Sequence, residues 1–358
     1  MFTRLDVRSA RLDRWKLAMR RIVCLSLLVA PLIALPALGE SLTVMTFNVE
    51  NLFDNTHDRG KNDETYLPVQ QKQSKSHIDK CNKINVKRWR DQCLYWDWND
   101  AVVDRKLTVI GDAIRQVGDD QGPDIIVFQE VENKRILERL RTEQLKGLGY
   151  QPSVLLEGKD IRGIDVAVLS KFPVTDPKLH EIRFPASQRA RIGDTRPILE
   201  ATFNLPDGSL LTGFAVHFPA PFHPTEMRES AYTTLNTLLK RLPADRAVFA
   251  AGDFNTTREE DNDKHMLDRW VRDDWEVAHD LCEGCQGTSY YPPRDDWSFL
   301  DMVIWRPATG WRMTASYLAN ETPAQVTPAG TPKRFELPEA TGLSDHWPLV
   351  MVIEKPAD

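Results

Sequence analysis

Five short apolar runs, each bordered by polar residues that bind metals or transfer protons in other proteins, constrain the fold of this 358-residue chain most strongly. The central run is 247–251, which is followed by Gly252-Asp253-Phe254-Asn255. The other runs are 42–47 before Asn48-Val49-Glu50, 125–128 before Gln129-Glu130, 210–216 before His217, and 349–353 after Ser344-Asp345-His346. Runs of this length and composition are typical of buried strands. Because strand ends meet at the edge of a sheet, the recurrence predicts one polar site at a sheet rim.

The segments between these runs predict helices and further strands. Apolar residues recur at helical spacing in 101–118, and further helices are predicted at 132–146, 225–241 and 265–275. Strands are predicted at 165–170 and at 297–305, the latter with Asp301 inside it, and Pro206-Asp207-Gly208 predicts a hairpin between 198–204 and 209–217. Residues 320–339 favour a surface loop. Hairpins mixed with helices indicate an α+β fold, in which two mixed sheets pack face to face with helices outside.

Residues 1–39 have the features of a removable targeting segment. They begin with a basic region, residues 22–38 are apolar apart from Ser26, and Ala37-Leu38-Gly39 is a small-x-small cleavage site. This order predicts a secretory signal peptide, so that residues 40–358 would be periplasmic or secreted. An uncleaved anchor helix is the alternative, which Pro31 and Pro36 disfavour.

The formal charge of the chain limits the class of partner. Residues 1–39 carry seven basic and two acidic side chains, so the rest of the chain carries a charge near −11 rather than −6. Such a balance argues against a protein that simply coats nucleic acid. It leaves room for an enzyme that uses a local basic patch and a cation.

Four cysteines follow the predicted signal peptide, and an even number in an exported protein indicates disulfides. Three pairings are possible, of which the local one closes the smallest loops: Cys81 with Cys93, and Cys282 with Cys285. A zinc site or a redox pair at 279–285 is the alternative, since His279 lies three residues before Cys282. No second pair of zinc ligands lies nearby in the sequence.

Residues 54–104 form a long polar insertion with basic and aromatic side chains. Its basic residues include Lys80, Lys83, Lys87, Arg88 and Arg90, and its aromatic residues include Trp89, Tyr95, Trp96 and Trp98. Basic side chains hold phosphates and aromatic faces stack on bases, which indicates a nucleic-acid contact. The alternative, which the sequence slightly favours, is a disulfide-pinned surface loop whose tryptophans pack onto the domain.

Taken together, the polar strand ends resemble the motifs of a known superfamily. The segments are Phe-Asn-Val-Glu-Asn with Asn48, Phe-Gln-Glu-Val with Glu130, Val-His-Phe with His217, Gly252-Asp253-Phe254-Asn255, Ser-Phe-Leu-Asp with Asp301, and Ser344-Asp345-His346. Over residues 42–353 their order and spacing resemble the endonuclease/exonuclease/phosphatase (DNase I-like) superfamily, in particular its secreted bacterial members. The resemblance implies that residues 40–358 form a four-layer αββα sandwich. It also implies hydrolysis of phosphate esters with Mg²⁺, or with Mn²⁺ or Ca²⁺.

The resemblance assigns expected roles to the residues that match its motifs. Glu130 matches the main metal ligand, with Asn48 and Asp345 beside it. Asp253 matches the residue that orients or deprotonates the attacking water, and Asn255 matches the residue that holds a phosphate oxygen.

The two histidines match residues that act on the scissile phosphate. His346 matches an acid/base or a cationic stabiliser, and Asp301 would orient its ring and raise its basicity. His217 matches a second histidine that stabilises developing charge or protonates the leaving oxygen. Which histidine donates the proton is left open by the sequence.

Four further residues are weighed as site candidates. Arg162 stands in a segment that resembles secreted bacterial members, and Arg196 precedes a proline, so both are predicted to bind the substrate phosphate. Arg228 is interpreted as a solvated surface residue, and Asp165 as an anchor for its loop.

These features favour an exported, metal-dependent phosphodiesterase, and above all an endonuclease that acts on DNA or RNA. The alternative is a phosphatase or a phospholipase C-type enzyme that acts on inositol phosphates or sphingomyelin. A catalytically silent scaffold would have lost a central residue, whereas all of them are present. No stable membrane partner is expected, and the oligomeric state and the native metal are left open.

Overall fold

The computed structural model describes residues 40–306 and 310–356, whose strands form two six-stranded sheets and one small hairpin. The strands, in chain order, are β1 (Glu40–Leu52), β2 (Ile125–Val131), β3 (Val154–Leu155), β4 (Asp165–Ser170), β5 (Val174–His180), β6 (Ile198–Asn204), β7 (Leu210–His217), β8 (Ala247–Asp253), β9 (Glu276–Val277), β10 (Ser289–Tyr291), β11 (Asp296–Ser298), β12 (Asp301–Arg306), β13 (Arg312–Leu318) and β14 (Leu349–Lys355). The helices are α1 (Lys75–Cys81), α2 (Lys87–Tyr95), α3 (Asp100–Arg115), α4 (Lys134–Arg139), α5 (Thr225–Leu239), α6 (Arg258–Lys264) and α7 (Met266–Trp270). The predicted signal peptide at 1–39 lies outside the described residues.

The first sheet has the strand order β13-β14-β1-β2-β4-β3. In it β1 is parallel to β2 and antiparallel to β14. The parallel register places Asn48 opposite Gln129. The polar ends of β1 and β2 therefore lie at the same edge of this sheet.

The second sheet has the strand order β5-β6-β7-β8-β12-β9. In it β8 is parallel to β7 and antiparallel to β12. The register pairs Asp253 with His217 on one side and with Asp301 on the other. Three of the predicted site residues thus lie side by side at one edge of the second sheet.

Apolar side chains fill three layers around the two sheets. Leu42 and Val127 of the first sheet pack with Phe203 and Phe249 of the second, so the central layer lies between the sheets. Helices α3 and α4 cover the outer face of the first sheet, and α5 and α7 cover the outer face of the second. The predicted two-sheet α+β sandwich is confirmed.

Element boundaries agree with the sequence prediction in some places and differ in others. Strand β4 and the hairpin of β6 and β7 are confirmed. The short helix predicted at 265–275 is present but shorter, because α7 spans only Met266–Trp270, and His265, whose φ is 54°, separates it from α6. A single strand at 297–305 is also wrong: β11 pairs with β10, whereas β12 starts at Asp301 and pairs with β8. The sequence did not predict β5 and β13.

Two disulfides tie local segments together. Cys81–Cys93 joins α1 to α2 within the insertion, and Cys282–Cys285 closes a short loop after β9. The local pairing is confirmed, and the zinc alternative at 279–285 is wrong because both sulfurs are bonded to each other.

The aromatic residues of the insertion divide into two groups. Trp98 is fully buried and Trp96 stacks against it with ring centroids 6.1 Å apart, as expected for a loop packed onto the domain. Trp89 and Tyr95 of α2 are instead 60% and 70% exposed. Among residues 40–306 and 310–356, no helix has the length and apolar character needed to cross a bilayer.

Candidate active site

The end of β8 determines how closely the polar strand ends of the second sheet approach each other. Gly252 has a φ of +150°, and a Cβ at this position would lie 1.9 Å from the carbonyl oxygen of Val216 in β7. Only glycine permits this approach. It brings His217 beside Asp253, with 3.6 Å between His217 Nε2 and Asp253 Oδ2.

His346 reaches this rim from the loop before β14 and pairs with Asp301. Its Nδ1 lies 2.6 Å from Asp301 Oδ2, and both side chains are buried. Burial alone would lower the pKa of His346, but the carboxylates of Asp301, Asp345 and Asp253 raise that pKa well above its usual value. His346 is therefore an imidazolium at neutral pH and has a proton to donate.

Asp253 is a carboxyl group with unusual basicity. Burial, followed by the charge of Asp301, raises the pKa of Asp253 to about 8, although His346 opposes this shift. Oδ1 of Asp253 accepts a hydrogen bond of 2.9 Å from the backbone N–H of Asn255, and Oδ2 accepts one of 3.1 Å from Asn48 Nδ2. With a pKa of about 8, this group is mostly protonated at neutral pH, and its ionised fraction, which grows as the pH rises, is the form that can accept a proton from water.

Asn255 completes this rim on the side of β7. Its φ is 53°, and its Nδ2 donates a hydrogen bond of 3.0 Å to the carbonyl oxygen of Phe218. This bond to the backbone holds the side chain in place. Because one N–H of the amide is engaged, the predicted contact to a phosphate oxygen would use the remaining N–H.

His217 has the opposite electrostatic environment from His346. Burial, followed by the charges of Arg196, Arg162 and His346, lowers the pKa of His217 well below its usual value. Its Nδ1 is buried without a hydrogen-bond partner among the described residues. His217 is therefore a neutral imidazole at neutral pH, in contrast to His346, which carries a proton.

Two arginines share one buried carboxylate close to His217. Arg196 Nη2 lies 3.1 Å from Asp160 Oδ2, and Arg162 Nε lies 3.9 Å from Asp160 Oδ1. Burial lowers the pKa of Arg196, an effect that Asp160 opposes. Within the described residues, Nε and Nη2 of Arg196 make no aligned hydrogen bond. A phosphate would supply the missing acceptors, so Arg196 fits the role predicted for it.

The rim of the first sheet carries a separate set of charges. Arg334 Nε lies 2.5 Å from Glu50 Oε1, and Arg334 Nη2 lies 3.0 Å from Asp345 Oδ2. Lys106 is fully buried, and its Nζ donates hydrogen bonds to the carbonyl oxygens of Glu50 at 3.1 Å and Leu343 at 2.6 Å. Lys106 therefore connects the end of β1 to the loop that contains Asp345.

These charges shift one another's ionisation. Burial, followed by the charge of Asp345, raises the pKa of Glu50 to about 7, although Arg334 and Lys106 oppose the shift. Burial lowers the pKa of Lys106 to about 8, although Glu50, Asp345 and Glu130 oppose that shift. Three carboxylates thus lie within electrostatic reach of one buried lysine.

The oxygen donors of this first rim fit a divalent cation. Glu130, the last residue but one of β2, has a φ of 65°, and its Oε2 accepts a hydrogen bond of 3.0 Å from the backbone N–H of Asn51. Hard cations such as Mg²⁺, Mn²⁺ and Ca²⁺ prefer carboxylate and amide oxygens. Asn48, Glu130 and Asp345 supply that donor set.

A second group also has the spacing of a metal site. The ligand atoms of Asp253, Asp301 and His346 all lie within 4.8 Å of one another. We assign this group to proton transfer, because Asp301 already shares a short hydrogen bond with His346 and an imidazolium repels a cation. Oδ1 of Asp301 is buried without a partner among the described residues and remains a spare acceptor.

Two of the weaker sequence interpretations have different outcomes. Arg228 is 3% exposed, forms an ion pair with Glu260 and donates to the carbonyl oxygens of Pro219 and Ala220, so its interpretation as a solvated surface residue is wrong. Asp165 accepts a hydrogen bond of 2.9 Å from the backbone N–H of Gly158 and thus anchors its loop.

Sequence reasoning missed three charged residues of the site. Lys106 lies on the apolar face of α3, and a lysine on the apolar face of a predicted helix could have identified it as a candidate site residue. Glu50 stands inside the Phe-Asn-Val-Glu-Asn segment and received no role. Arg334 lies in the predicted loop 320–339, where the sequence gives no sign of its two carboxylate partners.

Comparisons with known proteins agree with this geometry. Residues 99–346 match the model of the Endonuclease/Exonuclease/phosphatase family, which is more than half of the chain. No curated protein matches the sequence significantly.

Several solved structures share the fold. An endonuclease/exonuclease/phosphatase from Beutenbergia cavernae DSM 12333 is 16% identical with a TM-score of 0.55, over 88% of this chain and 72% of that one. An endonuclease/exonuclease/phosphatase from Bacteroides vulgatus is 17% identical with a TM-score of 0.54, over 88% and 99%. Truncated Caenorhabditis elegans TDP2 is 13% identical with a TM-score of 0.51, over 88% and 97%. At these identities the similarity shows the fold alone.

Proposed function

The chain belongs to the endonuclease/exonuclease/phosphatase family, and we propose that it is an exported, metal-dependent nuclease that cleaves phosphodiester bonds in DNA or RNA. Members of this family are phosphoesterase hydrolases, and they include metal-dependent phosphodiesterases. The observation that carries the proposal is the pairing of a proton donor and a proton acceptor at one rim. His346 is held protonated by Asp301, and Asp253 is held unusually basic beside them.

Hydrolysis of a phosphodiester moves two protons, which these two groups can accept and supply. Water attacks phosphorus, and Asp253 in its ionised form accepts the proton that this water loses. The bond from phosphorus to the leaving oxygen breaks, and His346 gives its proton to that oxygen. A phosphomonoester and an alcohol result, and the proton on Asp253 returns to His346 through solvent before the next cycle.

The neighbouring residues bind and orient the phosphate. Arg196 and neutral His217 lie on the β7 side of the site and can donate hydrogen bonds to phosphate oxygens. A divalent cation held by Glu130, Asn48 and Asp345 would neutralise the phosphate charge that otherwise repels the nucleophile. Asp301 is a positioning residue that fixes the ring of His346.

The insertion supports a nucleic acid as the substrate. Its helix α2 exposes Trp89 and Tyr95 next to Lys87 and Arg88, and exposed aromatic rings beside cations suit bases and phosphates. Export is supported by the predicted signal peptide and by two disulfides, which persist in oxidising compartments.

The proposal is tested with purified protein, supercoiled plasmid and Mg²⁺, with parallel samples that contain EDTA or the His346→Ala variant. We expect nicked and linear plasmid, and intact plasmid in both controls. Intact plasmid in every sample, together with metal-dependent release of phosphate or phosphocholine from small substrates, would instead identify a phosphatase or a phospholipase C-type enzyme.

A further inference from the structure

Two cavities meet at Arg88, and one of them borders the candidate active site at Asp345. The larger has a volume of about 1180 Å³ and includes Arg334 and Asp345. The smaller has a volume of about 780 Å³ and lies between α2 and residues 336–338. Arg88 lines both cavities, so the surface of the insertion is continuous with the site.

The larger cavity exposes aromatic rings near the reacting groups. Tyr291, at the end of β10, is 57% exposed, and Phe222, in the loop after β7, is 73% exposed. The β10–β11 hairpin is fixed to the catalytic loop, because Ser289 forms a β-bridge with His346 and the ring of Trp297 lies 5.0 Å from that of Trp347. Tyr291 therefore has a defined position relative to His346.

The smaller cavity presents a third exposed ring. Tyr95, the last residue of α2, is 70% exposed and lines this cavity. The disulfide Cys81–Cys93 holds α2 against α1, and Arg88 Nη2 lies 2.6 Å from Glu336 Oε1 across the junction. The helix that carries Tyr95 is thus tied to the loop that carries Arg334.

The charges of the two cavities favour stacking over simple electrostatic attraction. Arg88 is paired with Glu336, Arg334 with Asp345, and Arg228 with Glu260. Each of these cations is matched by a carboxylate, so the walls offer no broad positive field of the kind that binds a duplex through its phosphates. Phe222, Tyr291 and Tyr95 add exposed aromatic faces to these walls.

We propose that the two cavities form one path for a single-stranded nucleic acid, whose bases stack on Phe222, Tyr291 and Tyr95. This inference rests on the proposed function and adds the substrate class to it. A ring stacks only on a base whose face is free, and a duplex covers those faces with neighbouring base pairs. The larger cavity alone exceeds the roughly 300–1,000 Å³ of a small-molecule pocket, which suits a polymer.

The test compares kcat/KM for a single-stranded oligonucleotide of about 16 nucleotides with kcat/KM for bis-p-nitrophenyl phosphate, a small diester without bases. We expect Tyr95→Ala and Tyr291→Ala each to lower the ratio of the two values by about fivefold or more. Tyr317→Ala is the matched control, since Tyr317 of β13 is also an exposed tyrosine, at 37%, but lines neither cavity. Its ratio should equal that of the unaltered protein.

An unchanged ratio in both tyrosine variants would overturn the proposed path. Equal cleavage of a blunt duplex and a single strand of the same length would also overturn it.

A second measurement separates this inference from the proposed function. Fluorescence anisotropy of the labelled oligonucleotide in EDTA reports binding without turnover, and Tyr95→Ala should raise the Kd about fivefold. If Tyr95→Ala weakens binding in this way but the protein cleaves no diester, the proposed path is retained and the proposed nuclease activity is refuted. Cleavage of the oligonucleotide with no such response would refute the path and retain the nuclease.

Discussion

Each of the two sheet rims carries neighbouring carboxylates, and the two rims neutralise these charges differently. At the first rim, the carboxylates of Glu50 and Asp345 are balanced by the side chains of Arg334 and Lys106. At the second rim, the carboxylates of Asp253 and Asp301 lie beside the imidazolium of His346. One rim therefore neutralises its carboxylates with arginine and lysine, while the other uses a histidine whose pKa its carboxylates raise. The first should respond most to removal of its cations, and the second to removal of the charge on Asp301.

The largest effect is expected at the hydrogen-bonded pair of Asp301 and His346. Asp301→Asn keeps the shape of the side chain but removes the charge that raises the pKa of His346, so less of the donor is protonated. We expect kcat to fall by about 10²–10⁴-fold. Histidine NMR of the free protein should show the His346 resonance titrating at lower pH than before. A variant that retains kcat would contradict this difference between the rims, because the second rim would then not work through this proton.

Removal of a buried cation tests the first rim. Lys106→Met leaves the carbonyl oxygens of Glu50 and Leu343 unpaired beside buried carboxylates, so we expect a loss of about 3–5 kcal/mol in the free energy of unfolding. The matched control is Lys72→Met. Lys72 is also buried and donates to two carbonyl oxygens, at 2.6 Å each, but lies in the insertion. Urea denaturation should show a loss of about 1–3 kcal/mol for that control.

Activity separates these two lysines further. Lys106→Met should also reduce kcat/KM, because it releases the loop that precedes Asp345, whereas Lys72→Met should leave kcat/KM for the small diester unchanged. Equal effects of both variants on activity would mean that Lys106 is only a structural residue.

Arg334 tests whether a fixed cation competes with a metal ion at the first rim. Arg334→Gln removes the positive charge from Glu50 and Asp345, so the remaining carboxylates should attract a divalent cation more strongly. We expect severalfold tighter binding of Mn²⁺ in isothermal titration calorimetry. Weaker binding would show instead that the guanidinium organises the metal ligands.

The smallest predicted effect is the pH dependence of stability, measured by urea denaturation in EDTA. The pKa of His346 is raised in the folded state, so its stabilising effect is complete below about pH 6.5 and is lost as the pH rises through the folded pKa. The pKa of His217 is lowered, so its contribution is complete above about pH 6.5 and is lost as the pH falls through the folded pKa. His346→Gln should reduce the loss of stability at alkaline pH, and His217→Gln should reduce the loss at acidic pH. Each change should be about 1.4 kcal/mol for every unit by which the pKa of that histidine differs between the folded and the unfolded state. Flattening on the same side would contradict the opposite environments of the two histidines.

The fold was predictable where the residue pattern reflects burial on both faces. Strand β4 is buried along its whole length and was predicted without error at 165–170. Strand β5 was not predictable, because it lies at the edge of the second sheet, is mostly exposed and contains Pro177. Strand β13 also lies at a sheet edge, and its pairing with β14 is interrupted by a register shift between Met313 and Ala315.

The site was predictable only where its residues follow recognisable strands. Asp253, Asp301 and His346 stand in such motifs, and the structure places them together. The opposite pKa shifts of the two histidines were not predictable, because they depend on Arg196 and Asp301, which come from distant parts of the chain. Arg334 escaped prediction for the same reason, since its partner Glu50 is far away in sequence.

The left-handed backbone at Glu50 and Glu130 bears on any attempt to make the protein resist heat. Their φ values are 47° and 65°, a conformation that costs a residue other than glycine about 1–2 kcal/mol. Glycine at either position would relieve that strain and also remove a carboxylate from the site. A glycine would raise heat resistance only where this gain exceeds the loss of the Glu50–Arg334 ion pair or of the hydrogen bond from Asn51 to Glu130. Any durability gained at these two residues would therefore be gained at the expense of turnover.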